Sequence, residues 1–287
     1  MSKKFDVTLV TYDGAPDGAP DDQVLASAIR GLGGHAGFAI WDDPEFDWSA
    51  SGTTIIRSTW DYFRKAAEWR EWLQSADGAT RLVNPAEVIR WNMDKSYLLA
   101  LSQAGVPIMP TAVVRQAESF DLSGLCMDKD WEDIVIKPSL ACGAHGARRF
   151  AGEEIATKAG QHLRELTATG DALVQPYQSA VEHERERSLV FIGGAFAHAF
   201  SKGAFDPGAA AGRSDERDHQ PTGAEIAFAR QAIEAVGAPV TFARVDMVPS
   251  SHGMRLMELE LIEPHLGLSR RPASARALAK LLLDHGR

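Results

Sequence analysis

Residues 242–264 read FARVDMVPSSHGMRLMELELIEP. Two apolar runs flank Pro249-Ser250-Ser251-His252-Gly253, a cluster of turn formers, which predicts a β-hairpin closed by a loop of about five residues. Side chains alternate faces along a strand. Arg244 and Asp246 therefore share one face of the first strand, and Glu258 and Glu260 share one face of the second. Pairing Val248 with Met254 would set Arg244 opposite Glu258 and aim Asp246, Glu258 and Glu260 the same way. A slip of one residue would put the two charged sets on opposite faces. Three carboxylates among Phe, Val, Met and Leu repel one another and are costly to bury unpaired. A hard divalent cation such as Mg²⁺ removes both costs, because it takes oxygen ligands and commonly holds substrate phosphates too. The competing reading is a solvated hairpin face carrying an Arg–Glu pair.

Composition narrows the class. The 287 residues are 45% hydrophobic and 24% charged, ordinary for a globular chain and long enough for two or three lobes. A net charge of −9 argues against a nucleic-acid footprint and gives no attraction to an anionic membrane. No stretch approaches a transmembrane span, and the start, MSKKFDVTLV, reads as a first strand and not as a signal peptide. Cys126 and Cys142 match neither a metal spacing nor a disulfide framework, so a reducing cytoplasm is the expected location.

Working outward from the hairpin, residues 5–12, 38–41 and 53–57 read as strands, with a helix capped at Asp21-Asp22 between the first two. Gly31, Gly33 and Ala36 match G-x-G-x-x-A by position, but they close a helix and do not open one, so no dinucleotide site is read there. Alternating strand and helix predict a small α/β lobe with a mainly parallel sheet over residues 1–90. Ligands of such sheets bind beyond the carboxyl ends of strands, which makes Arg57 a candidate contact for a substrate anion; a structural Arg57 paired with Asp61 is the alternative. Asn92-Met93-Asp94-Lys95 is expected to open a helix to Gln103. A cation in that first turn opposes the helix dipole, and a bound anion would resolve the conflict.

The apolar strand 133–136 runs into Lys137-Pro138-Ser139-Leu140-Ala141-Cys142-Gly143-Ala144-His145-Gly146. A lysine followed by a loop of small residues can hold phosphate through charge and backbone N–H groups, although this is not a Walker A loop and a flexible surface turn is the alternative. Leu173 to Tyr177 forms another short strand, in which Pro176 suits an edge or hinge. Two runs around Gly193-Gly194 give the clearest hairpin signal, with Glu186 before it and Lys202 after it. Residues 201–222 lack periodicity and read as a lid or loop, and helices are expected near 224–236 and 273–285.

This order resembles the ATP-grasp superfamily over nearly the whole chain, of the glutathione synthetase and D-alanine–D-alanine ligase type. Within it, RSTWDY at 57–62, RWNMDKSYL at 90–98 and ELELIEP at 258–264 are similar to the cyclo-ligase of D-cycloserine biosynthesis. The resemblance implies an ATP-grasp fold of α/β and α+β lobes. These are an N-terminal α/β pre-ATP-grasp substrate domain at 1–90, a central lobe with the glycine-rich loop at 91–172, and a C-terminal lobe at 173–287. It implies ATP phosphate contacts from Lys95 and Lys137, and a phosphate-covering loop of Gly143, Ala144 and Gly146. Gln175, Pro176 and Tyr177 would form the adenine hinge, and Glu186 would take the ribose. Asp246, Glu258 and Glu260 would hold Mg²⁺. Arg244 would stabilise the reacting carboxylate and Lys202 would touch the transferred phosphate, while Arg57, Ser58 and Asp61 would meet the substrate. Glu260 stands where the superfamily often has Asn. Dimers are common in this group, and a homodimer is expected by the same resemblance.

The implied chemistry agrees with the residue types. A carboxylate is a poor electrophile until ATP converts it to an acyl phosphate, which an amine then attacks. Such a reaction needs positioned charges more than a nucleophile–base triad. The expectation is an ATP-dependent carboxylate–amine ligase for an amino-acid-like small molecule, with ring closure as its narrower form. An ATP-dependent phosphotransferase on the same scaffold and a non-catalytic nucleotide-binding module are the alternatives. His145 and His265 lie near these segments and are read as structural.

Overall fold

The structure is a computed structural model that describes residues 4–203 and 215–284. It begins with β1 (Phe5–Thr11), α1 (Pro20–Gly31), β2 (Ala36–Ile40), β3 (Ser51–Ser58), α2 (Ala66–Ala79) and β4 (Arg81–Val83). These strands form one sheet in the order β2-β1-β3-β4, every pair parallel, as the alternation of strand and helix predicts. The strands are short apolar runs buried on both faces, and Val7, Leu9, Val10, Ile55 and Ile56 are fully buried. Asp21 and Asp22 lie inside the first turn of α1, where Asp22 caps it from the N3 position: its Oδ2 accepts from the Ala19 backbone N–H (2.9 Å). Ala19 is the N-cap, with Pro20 following it.

Next come α3 (Ala86–Asn92), α4 (Tyr97–Gln103), β5 (Ala112–Val114), α5 (Leu122–Lys129), β6 (Asp133–Pro138), β7 (Arg148–Ala151), α6 (Gly160–Thr167) and β8 (Ala172–Pro176). The second sheet has the order β5-β8-β6-β7 and is antiparallel. Two expectations need correction here. Lys95 lies in the tight turn between α3 and α4, not in a helical first turn, so the dipole argument does not apply to it. Pro176 is the last residue of an interior strand, where a missing N–H leaves no gap inside the ladder.

The chain closes with α7 (Ala180–His183), β9 (Glu186–Ile192), β10 (Ala195–Lys202), β11 (Arg217–Asp218), α8 (Gly223–Glu234), β12 (Phe242–Ser250), β13 (Gly253–Glu260) and α9 (Pro272–Asp284). The third sheet is ordered β11-β10-β9-β12-β13. Gly193 and Gly194 both take positive φ (61° and 76°), the geometry a two-residue hairpin turn demands. The predicted 201–222 loop lies outside the described residues over 204–214.

The third sheet organises the molecule because its two faces differ. On one face Leu189, Phe191, Val245, Leu256 and Leu259 pack with residues of α4 and α8. On the other, Val190, Ile192, Phe200 and Phe242 join a core with Val7, Leu25, Ile29 and Leu278. That second face turns polar beyond Val190, where Glu186, Ser188, Lys202 and Asp246 follow. The change from apolar to charged on a single face marks where packing ends and a site begins.

Candidate active site

The pairing of β12 with β13 decides which charges meet. The loop between them is two residues, Ser251-His252, because Ser250 pairs with Gly253 and Pro249 with Met254. This is one residue off the expected register. Continued, it would set the carboxylates on opposite faces. A β-bulge between Asp246 and Met247 restores them: Met247 pairs with Leu256, Asp246 with Glu258, and Met257 is the extra residue. Beyond the bulge Arg244 pairs with Glu260, not with the expected Glu258. All four charged side chains share one face.

β13 is an edge strand, and its free edge is closed by side chains from the segment before β5. Asn92 donates to the Leu259 carbonyl (2.8 Å) and accepts from the Leu261 amide (2.9 Å). The Tyr97 hydroxyl accepts from the Leu259 amide (2.9 Å). Farther along, Leu256 exchanges backbone hydrogen bonds with Pro107 and Met109. Unpaired edges are normally shielded by some such device. Here it also holds the backbone on either side of Glu260.

Charge is distributed unevenly over the face. Asp246, 1% exposed, receives three bonds from Arg244 (Nε to Oδ1 2.9 Å and to Oδ2 3.1 Å, Nη2 to Oδ2 2.7 Å). Ser188 Oγ (2.6 Å) and Lys202 Nζ (3.0 Å) add to them. Burial alone would raise the Asp246 carboxyl, but Arg244 and Lys202 outweigh it and hold the group below its ordinary value. Arg244 also contacts Glu260 and donates to the His265 carbonyl (3.1 Å). Burial, with Asp246 and Glu258 nearby, nevertheless pushes Glu260 up to about 7. Lys95 pairs with Glu258 (3.1 Å), and Lys202 bridges Asp246 and Glu186 (2.6 Å to Glu186). Burial tends to raise Glu258, yet Lys95 and Lys137 bring it below its ordinary value.

Lys95, Glu186, Lys202, Arg244, Glu258 and Glu260 line a cavity of about 580 Å³ bounded by residues from all three sheet regions. The side chain of Lys137, near the end of β6, has no hydrogen-bond or ion-pair partner among the described residues. Burial and neighbouring Lys95 lower its pKa, although Glu258 opposes them. The loop after it contains Gly143, Ala144 and Gly146, all at positive φ. Consecutive left-handed residues favour glycine and turn backbone groups towards one side. The base of this loop is tied to the Lys95 turn: Lys95 N donates to Ser139 O (2.8 Å), and Ser139 Oγ to Asp94 Oδ2 (2.9 Å). The apolar part of the cavity includes Met109, Val135, Pro176, Val181 and Met257. The strand pattern alone did not assign Met257 to the charged face; the bulge frees it from strict alternation.

The expected site residues separate into those that line the cavity and those that do not, the latter being Asp246, Gly146, Arg57, Ser58 and Asp61. Lys95, Lys137, Gly143, Ala144, Gln175, Pro176, Tyr177, Glu186, Lys202, Arg244, Glu258 and Glu260 line the cavity. Gln175 donates its side-chain amide to Thr111 (2.8 Å), and Tyr177 gives its backbone N–H to Asp133 O (2.7 Å), so that hinge amide is committed to the sheet. Asp246 is buried beneath the charged rim. Arg57, Ser58 and Asp61 do not line the cavity. Arg57, 3% exposed, is the extra residue of a bulge in β3, and its Nε donates to Asp22 (2.9 Å). Ser58 also donates to Asp22, while Asp61 accepts from Trp41 Nε1 (2.9 Å). Neither the substrate contact nor the Arg57–Asp61 pair describes this arrangement. Tyr62, Cys142, His145 and Glu263 line the cavity without having been singled out as site residues.

The donor set suits a hard cation. Asp246 and Glu258 are directly opposed on neighbouring strands, with Glu260 beside them. Among the described residues no group of three His, Cys, Asp or Glu side chains is gathered to hold a metal ion, so Asp246, Glu258 and Glu260 do not form the expected ligand trio as they stand; Arg244, Lys202 and Ser188 occupy Asp246. Mg²⁺ commonly binds through one or two carboxylates plus phosphate and water, which this face permits. No described helix is long and apolar enough to cross a membrane.

Comparison with known proteins gives four findings. Residues 7–84 match the family described as D-cycloserine synthetase DcsG, N-terminal domain. The cycloserine biosynthesis protein DcsG of Streptomyces lavendulae is 30% identical over 277 residues, covering 91% of this chain and 92% of that protein. The crystal structure of D-cycloserine synthetase DcsG superposes with a TM-score of 0.87 at 28% identity, covering 98% of this chain and 99% of that one. A RimK domain ATP-grasp protein from Sphaerobacter thermophilus shares the fold at a TM-score of 0.73 and 18% identity, covering 96% and 99% of the two chains.

Proposed function

The chain belongs to the ATP-grasp ligases, in the family of the cycloserine biosynthesis protein DcsG, and is an ATP-dependent ligase forming carbon–nitrogen bonds; on that footing we propose that it activates the carboxylate of an amino-acid-like substrate as an acyl phosphate. The observation that carries the reading is the shared face of Arg244, Asp246, Glu258 and Glu260, with Lys95, Lys137 and Lys202 around the same cavity. In this reading Lys95 and Lys137 bind the phosphates and the Gly143–Gly146 loop covers them. The apolar slot of Met109, Val135, Val181 and Met257 takes the adenine near Gln175–Tyr177, and Glu186 meets the ribose. Asp246, Glu258 and Glu260 would hold Mg²⁺, which offsets phosphate charge. The substrate carboxylate oxygen attacks the γ-phosphorus and ADP leaves. An amine then attacks the acyl carbon, expelling phosphate and losing a proton. Arg244 and Lys202 stabilise the charge that develops on the transferred group and on the carbonyl oxygen. Ring closure, in which the amine belongs to the same molecule, is the narrower proposal suggested by the DcsG relatives.

Asp246→Asn tests this. We expect kcat for ADP release, with hydroxylamine as nucleophile and amino-acid pools as carboxylates, to fall at least about a hundredfold. Mg·ADP binding should change less. Wild-type turnover by the variant would remove the assigned role of Asp246. A lasting phosphorylated product without free phosphate would select a phosphotransferase instead.

A further inference from the structure

We propose that His265 and Asp21 are positioning residues for Arg244: they fix the backbone carbonyl on which one arm of its guanidinium rests, so that the first lobe acts on the reaction from outside the cavity. This rests on the ligase reading above, in which Arg244 stabilises the developing charge, and adds to it two residues that do not line the cavity.

Arg244 is held on more than one side. Its Nε and Nη2 donate to Asp246, and Nη2 also meets Glu260. Its Nη1 donates to the His265 carbonyl (3.1 Å). A guanidinium is a planar fork, and tying all three nitrogens leaves it one orientation. The third acceptor is a neutral carbonyl. It orients the cation without a further negative charge that would weaken its pull on an anion in the cavity.

The carbonyl itself needs support, because His265 lies in the irregular stretch after β13, outside any sheet ladder. The imidazole supplies it. Nδ1 lies 3.3 Å from Asp21 Oδ2 and Nε2 lies 3.2 Å from Glu216 Oε1. The ring also meets Phe200 edge-on, at 6.1 Å between centroids. His265 is thus gripped by α1 of the first lobe, by β10 and by the residue preceding β11.

Asp21 secures the same stretch at its other end. It is 2% exposed and accepts from the Leu268 amide (2.9 Å), the Ser269 amide (2.9 Å) and the Ser269 hydroxyl. Burial alone would raise its carboxyl, but His265, Ser269 and the Leu268 amide hold it below its ordinary value. One carboxylate at the start of α1 therefore fixes residues 265–269 from both sides. Its neighbour Asp22 stays within the first lobe, where Arg57 Nε donates to it (2.9 Å). Successive helical residues point in different directions, which lets adjacent aspartates serve different lobes.

A plain staple between lobes would use the same contacts, and it predicts a different result. Removing a staple lowers stability and leaves the turnover of folded enzyme intact. Removing a positioning residue lowers kcat through Arg244, and the loss disappears once Arg244 is gone. The His265 side chain is 46% exposed, so truncating it opens no core cavity.

The test measures ADP release by the full chain with saturating Mg·ATP, hydroxylamine as nucleophile and amino-acid pools as carboxylates. Calorimetry gives Mg·ADP affinity, and urea unfolding gives the folded fraction. We expect His265→Ala to lower kcat at least about tenfold, with the KM for ATP and the Mg·ADP affinity within about twofold of wild type. His265→Gln, which still donates to one carboxylate, should recover part of the loss. Asp21→Asn should lower kcat in the same direction. In an Arg244→Lys background, His265→Ala should cost less than about twofold more, the non-additivity of residues acting as a unit. Should Asp21→Asn fail to fold, the two His265 variants decide. Wild-type kcat in folded His265→Ala, or the same fold-loss with and without Arg244, would overturn the inference and leave the ligase reading standing. Absence of ADP release by wild type with every pool would remove the acyl-phosphate reading, and the role of Arg244 with it.

Discussion

Asp246 and Glu260 share one arginine, yet their carboxyls are driven in opposite directions. Asp246 has Arg244, Lys202 and Ser188 at hydrogen-bond distance, and these outweigh its burial. Glu260 is buried, has Arg244 as its one ion-pair partner among the described residues, and feels both Asp246 and Glu258, so it rises to about 7. A raised carboxyl contributes stability that is present below its unfolded value and is lost as pH rises through the folded one. With its carboxyl pushed up to about 7, Glu260 takes up a proton in the free protein as pH falls through that value. A cation delivered to this face favours the ionised form, so binding must release protons. Calorimetry of Mg·ADP binding with Mg²⁺ in excess should show net proton release at pH 6.5, read from buffers of different ionisation enthalpy. The release should fade by pH 8, where the group is already ionised. Heats independent of buffer at pH 6.5 would contradict the coupling.

At the scale of elements, the site depends on one inserted residue and one covered edge. The Met257 bulge is what returns Glu258 and Glu260 to the face of Asp246 after a two-residue turn. Asn92 then holds β13 from outside through both of its amide atoms. Truncating Asn92 leaves the Leu259 carbonyl and the Leu261 amide buried without their partner. Asn92→Ala should lower unfolding stability by about 1–3 kcal/mol. A shift of the urea midpoint at unchanged slope would show it. A variant as stable as wild type would mean that water replaces the amide at no cost.

For the whole molecule, the cavity draws on every sheet region: Tyr62 follows the first sheet, Lys137 lies near the end of a strand of the second, and Glu258 lies on the third. The lobes are also laced directly. The fully buried Asn84 donates to the Phe242 and Leu261 carbonyls (2.9 Å each) and accepts from the Thr241 amide (2.6 Å). A ligand bound in such a cavity stabilises the fold as a unit. Mg·ADP at a hundred times its Kd should add about 2.7 kcal/mol, read as a rise in Tm. Lys137→Ala should reduce that rise at fixed nucleotide by weakening binding about 1–3 kcal/mol, the cost of a lost charged hydrogen bond. An identical rise in the variant would exclude Lys137 from the nucleotide site.

The sequence by itself determined the parallel first sheet, the Gly193-Gly194 hairpin, the strand ending in Lys137 and the alternation that pairs Arg244 with Asp246 on one face. Each is local: a two-residue period, a glycine that tolerates positive φ, a buried apolar run. Tertiary structure alone decided the register of the central hairpin, because a bulge leaves no mark in the alternation of a strand so rich in Met and Leu. It also decided the fate of Arg57, whose partner Asp22 is 35 residues away in sequence and lies at the start of α1. Tyr62 and Glu263 reach the same cavity only because three sheets converge there. Distances between residues far apart in the chain are set by packing, and no short window of sequence encodes them.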